Sequence, residues 1–270
     1  MKTKTKRFSD LVGQEKVKNK LSFYIDVEEA GGITPPIMFN GSKGVGKTRF
    51  ASEYAKSVDK PLLEINCGTI RNAEQFFEQI FLPVIQNSEI VVLLDEVHAL
   101  PQDLVEIFLT AFNTEGAEVK EVCIGDGFVT FDFTRQTFLF ATTELHKIFD
   151  PLKDRMTIVD FIPYERHELA KIMKKKVDWI SYESGLLDES CLLDEIARTV
   201  RGNARSAVQR VLEIKAYCNV NHISHMTFDS WDELKETLDI QPFGLSNIEI
   251  EILKILKDNG DCSLQMLSAI

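Results

Sequence analysis

The stretch GSKGVGKT, residues 41–48, sits between an apolar run, PPIMFN (35–40), and a segment with helical spacing, KTRFASEYAKSV (47–58). Strand, glycine-rich turn and helix, in that order, form a cradle for phosphate. The glycines let backbone N–H groups turn toward an anion, and the helix N-terminus carries partial positive charge. Gly41-x4-Gly46-Lys47-Thr48 is the Walker A pattern, in which Lys47 reaches the β- and γ-phosphates and Thr48 gives a hydroxyl to Mg²⁺. The candidate nucleotide-binding stretch is Gly41, Ser42, Lys43, Gly44, Val45, Gly46, Lys47, Thr48 and Arg49, with ATP and Mg²⁺ as cofactors. A glycine-rich surface turn is the plain alternative, and the flanking strand and helix argue against it. The loop says that a nucleotide binds; it leaves open what hydrolysis drives.

Outward from the loop, strand-like and helix-like segments alternate. PLLEINC (61–67), EIVVLLDE (89–96), QTFLFATT (136–143) and MTIVDF (156–161) read as strands. The second is a near-continuous apolar run, as expected of a parallel strand buried on both faces. NAEQFFEQIFLPVI (72–85) reads as an amphipathic helix with Phe76, Phe77, Ile80 and Phe81 on one side, and PQDLVEIFLTAFN (101–113) as a helix with proline in its first turn. The alternation predicts an α/β fold: a parallel sheet with helices on both faces. EVCIGDGFVTFDF (121–133) interrupts it with two β-prone runs joined by Gly125-Asp126-Gly127, a hairpin signal. After Pro163 the pattern is helical throughout.

Four further sites carry candidate chemistry. VVLLDE ends a buried-type strand in Asp95 and Glu96. Asp95 is suited to hold the Mg²⁺ ion and Glu96 to act as the base that polarises the attacking water. In ATTE (141–144), Thr142 and Thr143 are both candidates for a hydroxyl between base and γ-phosphate. Arg155, in DPLKDR (150–155), either stays within its own subunit or reaches a neighbour's γ-phosphate in a ring. Arg205, in RGNARSAVQR (201–210), either contacts phosphate from the lid side or is a helix-surface arginine.

Composition sets bounds. The 270 residues are 44% hydrophobic and 27% charged, with net charge −11, which disfavours nonspecific nucleic-acid binding over a basic surface and leaves room for a local basic face. The first twenty residues hold seven Lys/Arg against two acids, a basic arm read as solvated. The run Lys174–Lys176, with Lys171, reads as a solvated helical face, and Trp179 and Trp231 as packing residues. The five cysteines are scattered without a Cys-x-x-Cys pair, and no apolar run reaches the length of a membrane span, about 18 residues. The expectation is a cytoplasmic protein with no membrane contact.

LLDEVHAL (93–100), the hairpin with IGDG, FLFATTE (138–144), DPLKDRMTIVDF (150–161) followed by Tyr164, RGNAR (201–205) and LDIQPFGLS (238–246) follow the loop in a fixed order. In this order the chain resembles the RuvB family of Holliday-junction branch-migration motors, within the AAA+ ATPases, from FSDLVGQEKVKNKL (8–21) to its last residues. The resemblance implies a P-loop AAA+ large domain over 1–162, a small all-α lid over 163–239, and the beginning of a winged-helix domain over 240–270, with no room for recognition helix or wing. It implies that Leu11 and Val12 line the adenine pocket and that Tyr164 faces it from the lid. Thr143 resembles sensor 1, with Thr142 a near alternative; Arg155 resembles an arginine finger acting across subunits, and Arg205 sensor 2. The implied partners are Holliday-junction or duplex DNA, a RuvA-like junction-binding protein at hairpin 121–133, and other copies of the chain in a ring, by family pattern a hexamer.

The sequence departs from the family pattern in places. Ser42 and Lys43 replace the usual prolines of the loop, Glu144 replaces the arginine after ATT, Lys153 replaces an arginine near Arg155, and Asn203-Ala204-Arg205 stands for TPR. Side chains at 42 and 43 are not needed to cradle phosphate, so the departures bear on partner and DNA specificity more than on hydrolysis. The implied function is an ATP hydrolase of translocase type; the alternative is a clamp-loader-like or helicase-loader-like ATPase that remodels a protein partner.

Overall fold

A computed structural model of the chain describes residues 7–113, 118–124, 127–176, 189–223 and 226–260. The chain divides into two compact units, Met1–Ile162 and Pro163–Ile270.

The first unit is built on a five-stranded sheet: β1 (Ile37–Asn40), β2 (Leu62–Asn66), β3 (Ile90–Asp95), β6 (Gln136–Thr142) and β7 (Thr157–Asp160). The order is β2-β3-β6-β1-β7, and all neighbours are parallel. Alternate residues feed two cores. Val92, Leu94, Phe138, Phe140 and Met38 face one side. Val91, Leu93, Leu139, Ala141, Ile37 and Phe39 face the other. Both faces are covered, which is why β3 and β6 read as nearly unbroken apolar runs. Helices α1 (Glu15–Glu29) and α2 (Lys47–Ser57) cover the second face.

The first face is covered by a helix that starts at Ala73–Phe76 (α3), by α4 (Gln102–Ala111), and by a hairpin. The short α5 (Asp150–Lys153) adds Leu152 to the same core just before β7. The helix begun by α3 departs from the regular one predicted over 72–85. From Phe77 to Ile85 it runs with wide turns, so that Gln86 N–H donates to Phe81 O, five residues back, at 2.9 Å. Pro83 inside it has no N–H to give, and widening the turn accommodates the ring. The Gln136 amide closes the helix end by donating to Ile85 O at 3.0 Å and Gln86 O at 2.9 Å.

The hairpin consists of β4 (Val119–Ile124) and β5 (Gly127–Asp132), antiparallel and in register from Val119↔Asp132 to Ile124↔Gly127. It therefore starts two residues earlier than the sequence suggested; its turn residues Gly125 and Asp126 lie outside the described residues. Phe131 anchors it among Phe77, Phe81, Phe108, Phe112 and Phe138, with ring centroids 4.5–6.5 Å apart. Pairs of this kind contribute roughly 0.5–1.5 kcal/mol each beyond burial.

Arg7 is not a solvated arm residue. Its guanidinium bridges Asp26 at 2.6 Å and Glu29 at 2.7 Å on α1.

The second unit is helical: α6 (Arg166–Lys174), α7 (Glu189–Arg198), α8 (Ala204–Val220), α9 (Phe228–Thr237) and α10 (Asn247–Asn259). Capping boxes at Glu165/Glu168, Thr227/Ser230 and Ser246/Glu249 fix where α6, α9 and α10 start. Leu169, Met173, Ile196, Val211, Ile214 and the wholly buried Trp231 form its core. Lys171 and Lys174–Lys176 are exposed. Trp179 and the segment 261–270, on which part of the winged-helix expectation rests, lie outside the described residues. Among the described residues no helix is long and apolar enough to cross a membrane.

Candidate nucleotide-hydrolysis site

The carboxyl ends of β1, β6 and β3 lie side by side. Asn40 is level with Thr142 and Ala141 with Asp95, and Gly41 N–H donates to Thr142 O at 3.3 Å. The loop 41–48 therefore leaves the sheet at the edge where open parallel sheets bind ligands.

Gly44 and Gly46 have φ of 79° and 100°, the left-handed region that glycine adopts without strain. Their turns aim successive N–H groups into one concavity, and α2 starts directly behind them. Val45 is buried in the core beneath the loop. Lys47 is buried, and its ammonium donates to Gly41 O at 2.7 Å and Ser42 O at 3.1 Å, which holds the charge over the mouth of the loop. Thr48 follows in the first turn of α2, partly exposed. Arg49 points along the helix to Glu53, 3.5 Å away.

Asp95 ends β3 and accepts the Glu96 N–H at 2.9 Å. Glu96 has φ 55°, a conformation that costs a non-glycine residue on the order of 1 kcal/mol or more. The kink turns its carboxylate back over the strand ends. There Glu96 Oε2 lies 3.4 Å from the Thr143 hydroxyl and 3.5 Å from His98 Nδ1, and its Oε1 lies 4.0 Å from Lys43 Nζ in the loop. Of the two threonines left open by the sequence, Thr143 bonds Glu96. Thr142 is fully buried, and its hydroxyl contacts His98 Nδ1 at 3.2 Å. Below the acids, burial pushes the Cys67 thiol up to about 12, with Asp95 and Glu96 adding to the shift.

Leu11 packs against the core beneath the loop, and Val12 is half-buried beside it. This segment is pinned by Gln14, whose amide donates to Ile162 O at 2.6 Å and accepts Ile162 N–H at 3.2 Å. Arg155 belongs to the same unit. Its guanidinium donates to Leu109 O at 3.1 Å and Pro151 O at 2.6 Å, and none of its hydrogen bonds goes to the loop.

Tyr164 and Arg205 belong to the second unit. Tyr164 packs in its core and donates its N–H to Gly202 O at 3.0 Å. Arg205 is exposed in the first turn of α8, where the helix dipole disfavours a cation.

Sequence reasoning passed over His98, Gln14 and the partners of Glu144. His98 stood in the quoted LLDEVHAL, but only the kink at Glu96 reveals that its ring turns back to the base.

The donor set suits Mg²⁺. Among the described residues no group of three or more His, Cys, Asp or Glu could cage a metal alone. A hydroxyl at Thr48 and a carboxylate at Asp95 are the sparse oxygen set that leaves room for phosphate oxygens and water, as Mg²⁺ prefers.

Comparison with known proteins places the site in a family. The family described as the Holliday junction DNA helicase RuvB P-loop domain matches residues 3–162. The Holliday junction branch migration complex subunit RuvB of a Nitratiruptor species is 24% identical over 259 residues, 93% of this chain and 74% of that protein. The Thermotoga maritima RuvB Holliday junction branch migration motor shares the fold with TM-score 0.75 and 22% identity, covering 96% of this chain and 81% of that one. A point variant of Thermotoga maritima RuvB gives TM-score 0.78 and 22% identity, over 98% of this chain and 84% of its own. With the family match spanning more than half of the 270 residues, this chain belongs to the RuvB family of AAA+ P-loop ATPases.

Proposed function

We propose that the chain is an ATP-driven motor that migrates the branch point of Holliday junctions, acting in the cytoplasm as a homo-oligomeric, hexameric ring on duplex arms. The observation that carries the reading is the gathering of the phosphate loop, Asp95, Glu96 and Thr143 at one edge of the sheet in a chain of this family.

The loop amides and Lys47 bind the phosphates. Thr48 and Asp95 would hold Mg²⁺, which would supply neutralisation of phosphate charge. Glu96 accepts the proton of the attacking water, a role worth about 10²–10⁴ in rate. Thr143, at 3.4 Å from Glu96, bridges base and γ-phosphate. Leu11 and Val12 hold the adenine. Arg155 acts on the nucleotide of the neighbouring subunit; its bonds to Leu109 O and Pro151 O hold it at the end of α4 until it engages. Such a finger supplies roughly 10³–10⁵ in rate. The outer face of the hairpin, with Phe128 71% exposed, docks a RuvA-like junction-binding protein.

Two variants test the chemistry. Glu96→Gln is expected to bind ATP normally and lose turnover by about 10² or more; near-normal hydrolysis would reject the base. Arg155→Ala is expected to lose hydrolysis and to regain part of it when mixed with Lys47→Ala subunits. No recovery in any mixture would reject action across subunits.

A further inference from the structure

The imidazole of His98 stands between two carboxylates. Its Nε2 lies 3.0 Å from Glu144 Oε2, and its Nδ1 lies 3.5 Å from Glu96 Oε2 and 3.2 Å from Thr142 Oγ1. Thr142 Oγ1 accepts the Glu144 N–H at 3.0 Å. These contacts choose the tautomer of the neutral ring. A lone pair on Nε2 would face a carboxylate oxygen at hydrogen-bond distance, so Nε2 carries the proton and donates it to Glu144. Nδ1 is then the acceptor. The Thr142 hydroxyl, whose oxygen is occupied by the Glu144 N–H, donates to it.

The charged groups around the ring are few. Glu96 comes from the end of β3 and Glu144 from the end of β6. Lys147 holds Glu144 at 2.7 Å, and Lys43 reaches the other oxygen of Glu96 at 4.0 Å. The bond from Lys147 keeps the Glu144 carboxyl below the usual range, with His98 and His146 contributing.

We propose that His98 is a positioning residue for the catalytic base. Glu144 holds it as the Nε2–H tautomer, which leaves the Glu96 carboxylate free to take a proton from water. A proton taken from solvent onto Nδ1 turns that atom into a donor, which engages Glu96 and stops turnover. Glu144 stands where the family pattern has arginine, and a cation there could not hold the ring this way. The inference rests on the reading of Glu96 as the base.

The test is steady-state ATP hydrolysis by the full chain across about pH 5.5–8.5, the range in which histidine changes charge. For wild type, kcat falls toward the acid side. In His98→Gln the acid limb moves to lower pH, kcat at about pH 8 drops roughly tenfold, and KM for ATP stays within about twofold. Glu144→Gln keeps an acceptor for Nε2–H but removes its charge, so it moves the limb the same way by less. Glu144 is partly exposed, so this variant serves even if His98→Gln folds poorly. If Glu96→Gln is inactive while both variants keep the wild-type pH profile, the positioning role is overturned and the base reading stands. If Glu96→Gln hydrolyses ATP at the wild-type rate, the base reading fails and takes the proposal with it.

Discussion

Gly41 passes Phe161 so closely that a Cβ on Gly41 would lie 2.8 Å from the Phe161 carbonyl oxygen and 2.9 Å from its Cβ. The contact ties the first residue of the phosphate loop to the end of β7. Neither neighbour is a flexible tip that can move aside. Gly41→Ala is therefore expected to lower stability by about 1–3 kcal/mol and to weaken ATP binding by roughly tenfold or more, as the loop shifts out of its cradle shape. Thermal melting and nucleotide titration of the variant check this; wild-type values in both would contradict the close packing.

Glu28 sits at a buried junction of three elements. It accepts hydrogen bonds from the Tyr54 hydroxyl at 2.7 Å, the Thr137 hydroxyl at 2.8 Å and the Lys60 ammonium at 3.1 Å. The Glu28 and Lys60 side chains are only 10% and 12% exposed. Burial holds the Tyr54 phenol far above its ordinary range, with Glu28 adding, so the phenol stays a donor. Glu28→Ala leaves Lys60 buried without its counter-charge and is expected to cost about 3–5 kcal/mol by denaturant titration. Adding Lys60→Met is expected to restore part of that loss.

The hairpin has one buried face and one exposed face. Phe131 lies in the aromatic core, whereas Phe128 and Cys123 pair across the strands on the exposed face. Phe131→Ala is expected to cost about 3–5 kcal/mol. Phe128→Asp should change stability by no more than about 0.5 kcal/mol and weaken capture by a RuvA-like protein. Loss of stability in the second variant, or full capture, would contradict the assignment.

Glu249 gives a pH signature for the second unit. The Ser246 N–H, then Arg201 at 2.8 Å, lower its carboxyl to about 2. A depressed carboxylate stabilises the fold above its unfolded value and loses that contribution as pH falls toward the folded one. Glu249→Gln should therefore melt below wild type at neutral pH. The gap should shrink as pH drops below the ordinary carboxylate range, about pH 4.3, and close near about pH 2. A gap that stays constant with pH would remove the charge from the explanation.

The sheet was legible because parallel strands covered on both faces leave a signal that survives without context. EIVVLLD and QTFLFAT read as strands, and each ends in the site. The Walker loop was legible for the same local reason. What stayed hidden depends on distant or turned-back contacts. Gln14 reaches Ile162 across 148 positions. His98 meets Glu96 only because Glu96 adopts φ 55°, and Arg7 left the expected basic arm for two acids on α1. The helix through Pro83 ends on Gln136, from strand β6, which binds the terminal carbonyls of Ile85 and Gln86.

The central claim is that hydrolysis at this site moves a DNA branch point. The most direct measurement is the ATP-dependent conversion of a synthetic four-way junction to duplex products by the full chain, with a RuvA-like junction-binding protein present and Glu96→Gln as control. The account predicts conversion with ATP by wild type and none by Glu96→Gln. Brisk ATP hydrolysis by wild type with the junction left intact would contradict it.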